Sequence, residues 1–236
     1  MTEIYDLHTH IIPGIDDGSS DIEESLRLLS EEKIQGVSRI VLTPHFYAQK
    51  ESVERYLEKR RERYETLRDA VEGQGLPELK LAAEVYFFHG MGQAEVLRKL
   101  CLTDTDYVFV EMPFAQWDAE VYIEIRNIIE KLKLKVMIVH IERYFPYQKD
   151  KSIWREVFSL PVVPQINAGA FSDFRERQIA KKMIKKDYPI VLGSDCHNMR
   201  HRKPNLKEGR DYIRTKFGED YLLELDQRSE AVWMGR

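Results

Sequence analysis

Cysteine is nearly absent from this chain: Cys101 and Cys196 are the only two among 236 residues. Two thiols build neither a disulfide framework nor a thiolate zinc site. Long apolar runs are missing as well, and no stretch approaches the length of a membrane span. The opening "MTEIYDLH" has no positively charged start followed by an apolar core, which makes a cytoplasmic protein without membrane insertion the expectation. No Pro/Gly/Ser-rich linker, low-complexity tract or internal repeat divides the sequence, so one domain spanning residues 1–236 is expected. Excess charge of either sign is also lacking. A net charge of −4 gives no general electrostatic reason to bind nucleic acid. The basic clusters "EKRRER" and "HNMRHRK" are local, and the first reads as a solvated helix face.

What the chain does have is alternation. Seven short apolar runs read as strands: "IYDLH", "VSRIVLTPH", "LKLAAEVYF", "YVFVEM", "LKVMIVH", "VVPQIN" and "PIVLGSD". Helical patterns separate them. In "DIEESLRLLSEEKIQ", Ile22, Leu26, Leu29 and Ile34 are spaced like one helix face, Ser20 with Glu23 offers a capping box, and Gly36 suits the end. In "ESVERYLEKRRERYETLRDAV", the buried side is expected to carry Val53, Tyr56, Leu57, Tyr64, Leu67 and Val71. Further helices are expected near 93–100, 118–132, 151–158 and 173–186, and over the C-terminal forty residues or so. Strand–helix alternation of this kind argues for parallel pairing through right-handed crossovers. Seven such units predict an α/β fold, a TIM-like (β/α)7 barrel one unit short of the eight-unit one, with its active site at the C-terminal ends of the strands. An open doubly wound sheet is the alternative.

The polar residues fall where such a barrel needs them. His8 and His10 close the first run in "DLHTHIIPGIDDG", and residues two apart on a strand point to the same face. His45 follows the second run, while Glu84 and Glu111 sit late in the third and fourth. His140 ends the fifth, Asn167 the sixth, and Asp195 and His197 the seventh. A histidine ending an apolar strand can simply belong to the core. Together, however, these side chains would crowd carboxylates and imidazoles into one partly buried cup, where desolvation and like-charge repulsion are prohibitive without cations. Two to three divalent metal ions resolve the conflict. An imidazole and carboxylate set suits manganese, iron or zinc, with manganese placed first, and magnesium less well. Ions roughly 3.5–4 Å apart can hold a phosphoryl group, activate a water and stabilise a leaving oxygen.

Two arginines favour phosphate over the competing deacylation chemistry. Arg143 lies three residues past His140 and Arg202 five past His197, and a guanidinium fork matches phosphate oxygens. Aromatics crowd the same loops: Phe46, Tyr47, Phe87, Phe88, Phe114, Tyr144, Phe145 and Tyr147. Packing under long loops explains most of them, and a few are candidates to wall a slot for a substrate ring.

The motifs "DLHTHIIPGIDDG", "TPH", "AAEVYF", "VEMPF", "HIERY" and "GSDCHN" resemble those of the PHP (polymerase and histidinol phosphatase) superfamily. More narrowly they resemble the bacterial metal-dependent protein tyrosine phosphatases that oppose the tyrosine kinase of capsule and exopolysaccharide synthesis. The resemblance runs from residue 4 to about 204, in order and with similar spacing. It implies a distorted (β/α)7 barrel and a ligand set. His8, His10, Glu84 and Asp195 would hold one metal, with Glu84 bridging; Glu111 and His140 would hold a second, and His45 and His197 a third. Asp17, rather than Asp16, would bind or sit beside the third metal and assist the leaving group. Arg143 and Arg202 would bind phosphate.

The function this implies is hydrolysis of phosphotyrosine in a protein, with a bacterial tyrosine kinase of polysaccharide synthesis as the partner. The alternatives are hydrolysis of histidinol phosphate or another small phosphomonoester, and a non-catalytic kinase-binding regulator. Cys196 and Arg202 also spell C-x5-R, the signature of the unrelated cysteine-dependent phosphatases. Those loops curl backbone N–H groups around phosphate, whereas "CHNMRHR" has no glycine and the neighbours of Cys196 belong to the expected ligand set.

Overall fold

All seven apolar runs enter β structure, but two of them break in the middle. The computed structural model describes residues 3–236, and among these there are nine strands. They are β1 (Tyr5–Thr9), β2 (Arg39–Leu42), β3 (His45–Phe46), β4 (Glu78–Leu81), β5 (Glu84–Tyr86), β6 (Tyr107–Glu111), β7 (Lys135–Ile138), β8 (Val163–Asn167) and β9 (Val191–Gly193). The expected second strand is β2 and β3, parted at Thr43 and Pro44; the expected third is β4 and β5, parted at Ala82 and Ala83. Proline has no N–H for a ladder. The Pro44 carbonyl instead accepts from the Glu84 backbone N–H at 3.1 Å and from the Tyr56 hydroxyl at 2.8 Å.

Every strand pairing is parallel. One sheet has the order β1-β2-β4, the other β3-β5-β6-β7-β8-β9, and together they curl into a half-barrel. The first strand also meets the last. Thr9 bridges Cys196, the His10 N–H donates to the Cys196 carbonyl at 2.9 Å, and the Asp195 N–H donates to the His8 carbonyl at 2.8 Å.

The α-helices are α1 (Ile22–Ile34), α2 (Val53–Val71), α3 (Ala119–Glu130), α4 (Ser152–Val157), α5 (Phe174–Ile184), α6 (Leu206–Phe217) and α7 (Glu219–Trp233). The stretch near 93–100 forms short 3₁₀ turns, Met91–Gln93 and Glu95–Leu100, instead of an α-helix. The α1 cap lies one residue beyond the expected Ser20: Asp21 accepts from the Glu24 N–H at 2.9 Å, and Glu24 reaches back to the Ser20 N–H at 3.1 Å. Its buried face is Ser25, Leu28, Leu29 and Glu32, while Ile34 is 77% exposed. Gly36 follows the helix with φ +89°, a conformation glycine adopts without a Cβ penalty. On α2 the cluster "EKRRER" is not wholly solvated. Arg60 is buried and donates to the Ala82 carbonyl, one of the groups freed where β4 and β5 part.

The core has two layers. Ile40, Leu42, Val108, Val110, Val136 and Ile138 pack outward beneath the helices. Tyr5, Leu7, Val41, Phe109, Met137, Val139 and Val191 pack inward, closed by Val232 and Trp233 of α7. Each such side chain contributes about 1.5–3 kcal/mol when fully buried. The inner face changes character along the strands. Phe109 is followed two residues on by Glu111, and Val163 by Gln165 and Asn167, so an apolar floor carries a polar rim at the C-terminal strand ends. Among the described residues, no helix is long and apolar enough to cross a membrane.

Candidate active site

Simple alternation would not bring all the rim histidines inward. With Leu7 in the inner layer, His8 should face the helices; the β1–β2 register breaks between Asp6 and Thr9, and His8 turns inward. His140 follows the outward-facing Val136 and Ile138, but its left-handed backbone, φ +32°, swings the ring back over the rim. Asp195 is left-handed too, at φ +54°. Such conformations cost a non-glycine residue about 1–3 kcal/mol, and they gather at sites where geometry is demanded.

Glycine supplies the remaining space. A Cβ on Gly18 would lie 2.2 Å from the His10 carbonyl oxygen, and one on Gly193 would lie 2.6 Å from the His8 Cβ. Gly18→Ala is therefore expected to lower stability by about 1–3 kcal/mol, as overpacking does. Denaturant unfolding tests this, and an unchanged midpoint would mean the loop yields freely.

The side chains converge on Glu84, which is fully buried. Its Oε2 lies 3.3 Å from His8 Nε2, 3.1 Å from His10 Nε2 and 3.0 Å from His45 Nδ1. Its Oε1 lies 2.8 Å from His140 Nε2. Asp195 Oδ1 stands 3.6 Å from His8 Nε2 and 3.5 Å from His10 Nε2, completing a first cup. Glu111 lies 3.9 Å from His45 and 3.8 Å from His140, on the far side of Glu84. Asp17 Oδ1 sits 3.4 Å from His45 Nε2 and 3.5 Å from His197 Nε2, so His45 faces Glu84 with one nitrogen and Asp17 with the other.

Three groups of these atoms are each compact enough to hold one ion: His8, His10 and Glu84; His45, Glu84 and Glu111; and His10, Asp17, His45 and His197. The two candidate aspartates separate clearly. Asp16 turns inward and is fully used, accepting from His10 Nδ1 at 2.8 Å and from the backbone N–H groups of His45 and Gly18 at 3.0 Å each. Asp17, with its side chain 66% exposed, faces the histidines.

The charges are heavily biased. Burial opposes protonation of His10, but Asp16 and Glu84 outweigh it and raise the ring to about 9. Burial is likewise overcome at His45, where Glu84 and Asp17 raise it to about 11. Burial lowers His140 to about 4 in spite of Glu84, and burial next to the Glu84 charge raises Glu111 to about 7.

A cation fits this arrangement on several counts. Glu84 Oε2 is buried and has three imidazole nitrogens within 3.3 Å, yet no hydrogen bond reaches it. Glu111 Oε2 and His45 Nδ1 are also buried without hydrogen-bond partners. His8 Nδ1 faces Gln165 Oε1 at 3.2 Å and His10 Nδ1 faces Asp16 at 2.8 Å, which turns both Nε2 atoms toward the same carboxylate oxygen and to within 3.1 Å of each other. Such an arrangement needs positive charge between the nitrogens and the carboxylate, which a metal ion supplies in place of ring protons.

Both arginines reach the same outer atom. Arg143 and Arg202 lie 3.0 Å and 2.6 Å from Asp195 Oδ2, and Arg202 also donates to His197 Nε2 at 2.8 Å. Two of the loop aromatics stand at the mouth. Phe114, 40% exposed, stacks over His140 at 6.1 Å, and Tyr47 lies against His45 at 5.3 Å. Phe46, Phe87 and Tyr144 are buried packing groups.

The sequence matches the description "Capsular polysaccharide synthesis, CpsB/CapC" over residues 4–231. The chain belongs to the CpsB/CapC family. It is 29% identical to the tyrosine-protein phosphatase CpsB of Streptococcus pneumoniae over 236 residues, covering 93% of each chain. It is 23% identical to the tyrosine-protein phosphatase YwqE of Bacillus subtilis, covering 96% of this chain and 90% of that one. In fold it resembles a chain from the crystal structures of YwqE and CpsB described as metal-dependent tyrosine phosphatases, with a TM-score of 0.87 and 21% identity over 99% of this chain and 95% of that one. A more distant likeness, with a TM-score of 0.57 and 12% identity over 90% and 93%, is to the histidinol phosphate phosphatase of Lactococcus lactis solved with zinc, L-histidinol and phosphate.

Gln165 organises the rim without belonging to any of the motifs, and it works through Asn167 at the end of the same strand. Gln165 Oε1 accepts from His8 Nδ1 and, at 2.7 Å, from the His140 N–H, while its amide donates to Asn167 Oδ1 at 3.0 Å. Asn167 in turn donates to Asp195 Oδ2 at 2.9 Å. The signal was present in "VVPQIN", where two amide side chains two residues apart share a face with the strand's inner layer. Asp6 and Glu32 lie together, fully buried, and burial pushes both carboxyls up. Asp6 Oδ1 accepts from the His8 N–H at 3.1 Å and the Ser194 N–H at 2.9 Å, tying the ends of the first and last strands.

Cys196 belongs to this underside. It is fully buried, and burial with the Glu32 and Asp6 charges pushes its thiol well up, the opposite of what a nucleophilic thiolate needs. Cys196→Ser is expected to keep kcat/KM on an aryl phosphate within a few-fold of wild type. Near-complete loss with metal content intact would instead make the thiol a nucleophile.

Proposed function

We propose that this chain is a metal-dependent protein-tyrosine phosphatase, a phosphomonoesterase whose substrate is phosphotyrosine in a bacterial tyrosine kinase of polysaccharide synthesis. The observation that carries the reading is the single oxygen Glu84 Oε2, faced by three imidazole nitrogens and left without a hydrogen bond. Family membership and the names of the relatives support the substrate class. We read the scaffold as a distorted (β/α)7 barrel in one domain over residues 1–236, counting β2 with β3 and β4 with β5 as one strand each.

His8, His10, Glu84 and Asp195 hold one ion in this reading. Glu111 and His140 would hold a second together with Glu84, and His45, His197 and Asp17 would hold a third. When bound, two to three divalent ions, manganese before iron or zinc, supply positive charge to phosphoryl oxygens and acidify water.

The protein's own groups do the rest. Arg143 and Arg202 leave Asp195 Oδ2 to grip the phosphoryl oxygens, where their forked N–H groups oppose the charge that shifts during transfer. Asp17 assists departure of the tyrosine oxygen, a role its exposure at the mouth supports. Phe114 over His140 and Tyr47 over His45 flank the substrate ring and favour an aryl ester. Gln165 and Asn167 hold His8, His140 and Asp195 in place.

The test compares turnover of a phosphotyrosine peptide with that of histidinol phosphate, using manganese-loaded protein. Phosphotyrosine is expected to turn over faster. Preference for histidinol phosphate would overturn the substrate, and failure to hydrolyse any aryl phosphate would leave a non-catalytic binding protein.

A further inference from the structure

Behind the loop that carries Arg143 lies a second, chemically distinct pocket. Phe145, Trp154 and Tyr188 wall it together with Ile179 and Met183, around a cavity of about 180 Å³. Phe145 and Trp154 meet edge to face at 5.4 Å, and Trp154 is itself buried against Trp117. A cavity of roughly 150 Å³ lined by apolar side chains accepts a benzene ring, so this one has room for one aromatic side chain.

The rim is wholly cationic. Lys151 and Arg155 of the α4 segment face Lys182 and Lys186 of the α5 segment, and no acidic side chain lines the pocket. None of the four forms a salt bridge among the described residues. Lys151 Nζ and Lys182 Nζ stand 4.8 Å and 5.3 Å from the Phe145 ring centre, so two ammonium groups sit over one wall of the hole. A protein of net charge −4 thus gathers four unpaired cations around a single aromatic-walled cavity. A solvated charge run would not enclose a cavity, and a core defect would not be ringed by lysines.

We propose that this pocket docks an acidic peptide segment bearing one aromatic side chain. The ring enters between Phe145, Trp154 and Tyr188, and the flanking carboxylates pair with Lys151, Arg155, Lys182 and Lys186. Hydrophobic burial of the ring supplies the anchor, and the rim charges supply selection and fast encounter. The 3₁₀ turn Phe145–Tyr147 follows Ile141–Arg143 after one residue, so the Phe145 wall of the pocket belongs to the loop that carries Arg143. The binding itself stands apart from the phosphatase reading.

Fluorescence anisotropy on the intact protein tests it with three labelled, unphosphorylated peptides: Glu-Glu-Tyr-Glu-Glu, Glu-Glu-Ala-Glu-Glu and Lys-Lys-Tyr-Lys-Lys. The acidic tyrosine peptide should bind most tightly. The double variant Lys182→Glu with Lys186→Glu should weaken it by about tenfold or more, because like charges then meet at the rim. The same variant should hydrolyse a small aryl phosphate as wild type does, and Arg143→Ala should leave peptide binding unchanged. Equal affinity for the alanine peptide would overturn ring insertion, and undiminished binding by the double variant would overturn the site. Loss of peptide binding in Arg143→Ala would move the peptide to the active-site mouth and overturn the proposal as well.

Discussion

Glu84→Ala is expected to lose more than one equivalent of bound metal and to reduce kcat/KM on an aryl phosphate by more than about a thousandfold. Removing one electrostatic donor from a transition-state site already costs about a hundred- to a thousandfold, and this carboxylate serves more than one position at once. Its Oε2 faces His8, His10 and His45, while Oε1 faces His140, so this one carboxylate meets four imidazoles. The buried cavity left by alanine complicates the reading, because it also lowers stability. Glu84→Gln keeps the volume and removes only the charge. Elemental analysis on both variants, with thermal unfolding beside it, separates lost ligation from lost fold. Full metal content in a folded Glu84→Gln protein would remove this residue from the bridge.

Arg143→Ala is expected to behave in the opposite way, with normal metal content and a low rate. A surface arginine would change stability by no more than about 0.5 kcal/mol and leave turnover alone. An arginine that grips the transferring phosphoryl group instead contributes about 2.7–4 kcal/mol, or roughly a hundred- to a thousandfold in kcat/KM. Arg143→Lys should recover only part of this, because a point charge replaces a two-pronged fork. Arg143 is the cleaner of the two arginines to test. Arg202 also hydrogen-bonds His197 Nε2, so its removal disturbs a candidate ligand together with the phosphate grip. Activity of Arg143→Ala within about threefold of wild type, at full metal content, would return this residue to the surface class.

Much of this arrangement was legible in the sequence because strand ends in a parallel α/β sheet must converge. Once the seven apolar runs are ordered, His8, His10, His45, Glu84, Glu111, His140, Asp195 and His197 fall at one rim by topology. What alternation could not supply was facing. His8 turns inward through a register break and His140 through a left-handed backbone, and neither leaves a mark in a pattern of period two. The breaks at Pro44 and at Ala82 and Ala83 were hidden for a different reason. In "VSRIVLTPH" and "LKLAAEVYF" apolar residues continue on both sides of the break, so their hydropathy does not show a strand changing sheets.

Helix α1 shows how tertiary demand overrides local pattern. Ile34 fits the apolar stripe yet lies in solvent, whereas Glu32 faces inward and lies fully buried beside Asp6 beneath the strand ends. The same demand buried Arg60, whose guanidinium serves the Ala82 carbonyl at a strand break. Asn167 was legible as the polar end of the sixth strand, but Gln165, two residues before it, is unremarkable without the histidines it orients.

The most direct test of the account is a single purified sample assayed twice, for metal by elemental analysis and for hydrolysis of a phosphotyrosine peptide before and after chelation. The expected result is two to three equivalents of transition metal and turnover that disappears on chelation and returns with manganese. Less than one equivalent of metal, with undiminished turnover after chelation, would contradict it.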